Sequence, residues 1–151
     1  MNIEFETLPK YRIAYVRQVG PYGPDNKQVM EKLKQWAGEK NLLTESAIIF
    51  GIPQDHPEMT LPENCRYDAC IAVSNDYLID DSIFEGELAG GKYAIYKVRH
   101  TAEDIQKAWA EIITMIQHVG YQIDNKPIIE RYTIDMIKNH YCEICVPVIP
   151  L

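Results

Sequence analysis

The sequence predicts an α+β domain in which a β-β-α-β-β unit is used twice, with antiparallel strands and one main helix per repeat. Three observations predict it. Strand-like and helical segments recur in the same order in both halves, each helix carries one tryptophan, and the closing strands match in residue type. We place repeat one at about residues 1–74 and repeat two at about 83–151, as halves of a single domain spanning 1–151.

The opening strands come first. Ile3-Glu4-Phe5-Glu6 is similar to Phe84-Glu85-Gly86-Glu87, and at that spacing of 81 Tyr15 falls on Tyr96. The first helix is expected from about Asp25 to Ala37, because Val29, Met30, Leu33, Trp36 and Ala37 form an apolar stripe at helical spacing, with Gly38 as its stop. The second follows Thr101, which with Asp104 makes a capping-box-like start. Ile105, Ala108, Trp109, Ile112, Ile116 and Val119 form its apolar face, and Gly120 its stop. Two further strands are expected in each half: Ala47–Ile52 and Tyr67–Val73, then Pro127–Ile134 and Tyr141–Val148. At a spacing of 75, Asp68 falls on Glu143 and Cys70 on Cys145. The segments Pro53–Asn64 and Ser74–Ser82 are rich in Pro, Asp and Asn and are read as surface loops.

A formal net charge of −7 opposes the counterion release that drives non-specific nucleic-acid binding, so direct nucleic-acid contact is not expected. No stretch approaches the ~20 apolar residues of a membrane span, and the first residues lack the basic start and apolar run of a signal peptide. A cytoplasmic protein without membrane contact is the expectation. The four cysteines lie in Cys65-Arg-Tyr-Asp-Ala-Cys70 and Cys142-Glu-Ile-Cys145. Residues three or five apart on a strand point to opposite faces, so neither pair converges on a metal, and buried free thiols are expected.

Standard catalytic signatures are absent: no nucleophile elbow, phosphate loop, dinucleotide fingerprint or His-Glu-x-x-His motif. No cofactor and no metal are expected. The histidines, at 56, 100, 118 and 140, are read as surface residues. The segment Pro127–Ile134 is different, because alternation puts Ile128, Glu130, Tyr132 and Ile134 on one strand face. A carboxylate among apolar neighbours either waits for a ligand's charge, pairs with a cross-strand cation, or reaches solvent.

Together, Val19-Gly20-Pro21-Tyr22, Cys65–Cys70, the helix around Ala108-Trp109, Glu130-x-Tyr132 and Glu143-Ile144-Cys145-Val146-Pro147-Val148 resemble the GyrI-like effector-binding family. That family includes ligand domains of AraC-type and MerR-type regulators and free-standing gyrase inhibitors. The resemblance covers nearly the whole chain. It implies sheets flanking a central aromatic-lined cleft that takes lipophilic, often cationic organic molecules, with the family glutamate at Glu130 and its tyrosine at Tyr132. Tyr67, Trp36, Trp109, Tyr15 and Tyr96 are the other candidates for that cleft, although both tryptophans also fit core packing. Three functions are compatible with it: a stand-alone effector sensor or sequestering protein, a hydrolase of electrophiles with Glu130 as general base and Tyr132 assisting, or a modulator of a protein partner such as gyrase. No helix-turn-helix segment precedes the first strand, so transcription control by this chain alone is not expected.

Overall fold

Nine strands join into one curled antiparallel sheet in a computed structural model that describes residues 3–151; Met1 and Asn2, at the start of repeat one, lie outside the described residues. The elements are β1 (Glu4–Leu8), β2 (Tyr11–Val19), α1 (Pro24–Glu39), β3 (Ile48–Pro53), β4 (Arg66–Val73), β5 (Phe84–Leu88), β6 (Gly91–Arg99), α2 (Ala102–His118), β7 (Tyr121–Ile123), β8 (Ile129–Thr133), α3 (Ile134–Lys138) and β9 (Tyr141–Pro150). A single 3₁₀ turn, Pro62–Asn64, precedes β4.

The strand order is β1-β6-β9-β8-β3-β4-β2-β5, with β7 added against β9. Exchanging β1 with β5, β2 with β6, β3 with β8 and β4 with β9 returns the same order reversed, so a pseudo-twofold axis passes between β3 and β8. The opening strand of each repeat pairs with the other repeat, β1 on β6 and β5 on β2. This exchange ties the two halves together at the sheet's outer ends as well as at its centre.

Registers correct one alignment. Tyr15 lies opposite Cys70, whereas Cys145 lies opposite Ile95. With Cys70 matched to Cys145, the residue equivalent to Tyr15 is therefore Ile95 and not Tyr96. The spacing is 80, which also puts Leu8 on Leu88 and Ala14 on Ala94. A slip of one residue turns a strand residue to the other face, and Tyr15 and Tyr96 indeed pack on opposite faces.

The helices cover one face. Val29, Leu33 and Ala37 of α1 and Ala108, Ile112 and Ile116 of α2 are buried against Ala14, Ile49, Ala69, Ile71, Ala94, Ile144 and Val146. The other face buries itself. Leu8, Ile13, Phe50, Ile52, Cys70, Leu88, Tyr93, Ile95, Ile129 and Cys145 come from eight strands and need no helix, because the sheet curls around them. Gly90 permits the closure: a Cβ there would stand 2.9 Å from both the Leu8 carbonyl and the Lys10 nitrogen.

Helix ends follow local chemistry. Thr101 caps α2 by accepting the Asp104 amide, and Gly120, at φ 92°, ends it. Helix α1 runs through Gly38, the expected stop. Asn41 instead takes the left-handed conformation (φ 59°), and the bonds Asn41 N–H to Gly38 O and Leu42 N–H to Ala37 O close a Schellman motif. Repeat two also departs from expectation after β8, where Thr133 accepts the Met136 amide and starts α3, so Ile134 belongs to a helix rather than to the strand face of Glu130. Among the described residues no helix is long and apolar enough to cross a membrane.

Candidate functional site

Central strands β3 and β8 meet at the pseudo-twofold axis, where Gly51 lies directly opposite Glu130. Helix α1 packs on β2 and β4 and α2 on β6 and β7, so the two main helices stand over the flanks of the sheet. Glu130 shares the helical face with Ile128 and Tyr132, as alternation requires, and is half-buried there.

The site is asymmetric although the fold is not. Under the register above, Glu130 corresponds to Gly51, Tyr132 to Pro53 and Cys142 to Tyr67. Repeat two contributes the acid and one ring, and repeat one contributes a second ring and the space for it. A Cβ on Gly51 would stand 2.1 Å from the Tyr67 hydroxyl oxygen. The missing side chain thus lets the Tyr67 ring lie across β3 toward the acid, a close approach for which a glycine inside a strand is suited.

The Tyr132 hydroxyl donates a short hydrogen bond to the Glu130 carboxylate. That spends its one proton, so the His100 ring, whose Nε2 is 3.3 Å from the same oxygen, must be the donor of the second bond. The two rings meet edge to face at 5.3 Å. Burial, followed by the nearby Glu130 charge, holds the hydroxyls of both Tyr132 and Tyr67 well above the usual tyrosine range. Both stay protonated at neutral pH, Tyr132 as the donor to Glu130 and both rings as apolar walls. The Cys142 thiol is pushed up to about 12 by burial, with Glu130 and Glu143 adding to it.

Two acids on the other face of the sheet, buried Asp68 and partly buried Glu143, each hold an arginine. Asp68, 2% exposed, receives Arg17 Nε at 2.7 Å and Nη2 at 2.8 Å, with Gln54 Nε2 at 3.0 Å. Glu143 receives Arg131 Nε at 2.9 Å. Among the described residues no lysine, arginine or histidine nitrogen lies within ion-pair distance of Glu130. Of the three fates open to this carboxylate from sequence, pairing with a cross-strand cation is absent among those residues.

The remaining candidates distribute unevenly. Tyr96, Trp36 and Trp109 are half-buried on the helical face. Trp36 is held by its indole N–H to Ser82 Oγ at 2.9 Å, and among the described residues no hydrogen bond or ring stacking joins the three to Glu130. Tyr15 is a correction: it lies on the far face, stacked on Phe84 at 5.6 Å with Arg17 over its ring, and cannot reach a site built on Glu130. All four cysteines are buried free thiols, with Cys70 and Cys145 on the far face and Cys142 on the helical one. Sequence reasoning missed His100 and Gly51. The glycine interrupting an apolar strand was a usable signal, whereas the contact of His100 with a residue 32 positions away had none in the chain.

Fold and relatives together define the class, a small-molecule binding domain. The chain belongs to the GyrI-like family, the GyrI-like small molecule binding domain, matched over residues 1–149. It is 43% identical over 149 residues to a Bacillus subtilis (strain 168) protein named "SPbeta prophage-derived putative transcriptional regulator YosT", covering 98% of this chain and 99% of that one. It is 26% identical over 148 residues to the DNA gyrase inhibitor of Escherichia coli (strain K12), covering 95% and 93%. Among solved structures, the EcmrR C-terminal domain superposes with a TM-score of 0.73 at 16% identity, over 99% of this chain and 98% of that one. The chain spans 58% of EcmrR in its DNA complex. SAV2435 bound to tetraphenylphosphonium superposes with a TM-score of 0.60 at 18% identity, over 99% and 94%.

Proposed function

We propose that this chain binds lipophilic organic cations between its two repeats and acts as an effector sensor or sequestering protein. Glu130 supplies the counter-charge and Tyr132 and Tyr67 the aromatic walls. One observation carries the reading: Glu130 is half-buried among rings with no cationic side chain beside it within the described residues, while Asp68 and Glu143 each hold an arginine. A desolvated carboxylate selects for positive charge, and each ring adds about 0.5–2 kcal/mol of cation–π attraction. The tetraphenylphosphonium bound by SAV2435, a protein of the same fold, supplies the probe.

Titration calorimetry with tetraphenylphosphonium is expected to show saturable binding that Glu130→Gln weakens by about 30-fold or more, the loss of one desolvated charge pair. Equal affinity in the variant would sink the reading. Electrophilic compounds belong in the same panel. Consumption of one of them, abolished by Glu130→Gln, would replace the binder with a hydrolase in which Glu130 activates a water.

A further inference from the structure

The hydrogen bonds around Glu130 run in one direction, from His100 Nε2–H to the Tyr132 oxygen and from the Tyr132 hydroxyl to the carboxylate. His100 is exposed at the end of β6, so its ring exchanges protons with water while its partner Tyr132 is buried. Its backbone is fixed by the bond from His100 N–H to the His140 carbonyl at 2.8 Å. The ring is therefore held one hydroxyl away from the acid. Other charged groups nearby in the chain are Arg99, before it on β6, and Glu103 and Asp104 in the first turn of α2, where Asp104 is engaged by Thr101. His140 faces it from the turn into β9 through its carbonyl, and Glu130 lies behind Tyr132 on β8.

We infer that His100 is a positioning residue that couples ligand charge to pH: the site holds one positive charge, either the protonated imidazole relayed through Tyr132 or the ligand's. This rests on the binding reading above. Both protonation states of His100 keep the donor that Tyr132 needs, so the relay stays intact while its outer end changes charge. Protonation places a cation on the carboxylate's own hydrogen-bond chain and weakens the site for a second one. A bound cation in turn disfavours the imidazolium, so binding drives the proton off it. Affinity for a permanent cation thus rises with pH, and by linkage the two effects are equal in size.

The test is the affinity of tetraphenylphosphonium, which does not itself titrate, between about pH 5.5 and pH 8. The wild-type chain is expected to gain about 3- to 10-fold across this window, a modest change because solvent screens His100. His100→Gln, which keeps an N–H donor for Tyr132 but cannot charge, is expected to give a flat profile. In the wild type, the His100 ring signals followed by NMR at about pH 6 are expected to move toward the neutral form on adding the cation, while those of His56 and His118 stay put. A wild-type pH slope that persists unchanged in His100→Gln overturns the coupling and leaves the binding reading standing. Absence of binding at every pH, or binding indifferent to Glu130→Gln, overturns both.

Discussion

Asp68 and Glu130 are carboxylates on strands of one sheet, yet the two faces treat them in opposite ways. On the far face Asp68 is sealed by Arg17 and Gln54, and its repeat-equivalent Glu143 by Arg131, which also reaches Glu6 at 3.1 Å. On the helical face Glu130 has a tyrosine hydroxyl and aromatic walls. The far face spends its charges on holding the curled sheet together, whereas the helical face leaves one uncompensated where the two repeats meet. A buried acid alone is therefore no marker of a site in this fold; the company it keeps is.

Replacing each acid by its amide breaks or sharpens this contrast. Asp68→Asn strands the Arg17 guanidinium and is expected to lower unfolding free energy by about 2–4 kcal/mol in denaturant melts. Glu130→Gln removes no ion pair and is expected to stay within about 0.5 kcal/mol of wild type. Equal losses in the two variants would mean that Glu130 is a structural charge like Asp68. The next effect is steric. Gly51→Ala places a methyl against the Tyr67 hydroxyl and is expected to cost about 2 kcal/mol and to weaken cation binding. Adding Tyr67→Phe removes the oxygen in the way and should return part of the stability but not the affinity. Stability recovered together with full affinity would remove the Tyr67 hydroxyl from the site.

The third effect is electrostatic and confined to alkaline pH. Cys142 on the helical face and Cys145 on the far face are both pushed up to about 12, mainly by burial. Raised thiols stay protonated in the folded chain while the unfolded chain ionises from about pH 9, so their contribution is full below that value. It is lost as pH climbs toward about 12, by at most about 1.4 kcal/mol per pH unit for each thiol. Denaturant melts at stepped alkaline pH should show this decline. Cys142→Ala should make it shallower; an unaltered slope would mean that the thiol is not shielded there.

Much of this was legible in the chain because it is local. The apolar stripes of α1 and α2, the Thr101 cap and the Gly120 stop follow from spacing and from residues three or four apart. The pairing of Glu130 with Tyr132 follows from strand alternation, since residues two apart share a face. Register was not local. A match of 81 residues looked better in letters than the true 80, because Glu4 and Glu6 are exposed on an edge strand and their agreement with Glu85 and Glu87 reflects solubility rather than position.

By itself, the sequence determined that the chain is a duplicated α+β unit, that its cysteines are core residues, and that one acid of β8 shares a face with a tyrosine, since each of these depends on short-range periodicity. Only the tertiary structure decided that the opening strands change repeats, that Tyr15 falls on the far face, that Gly51 makes room for Tyr67 beside Glu130, and that His100 meets Tyr132. Those depend on which strands become neighbours, and inter-strand pairing is fixed by burying both faces of the whole sheet at once rather than by any single segment.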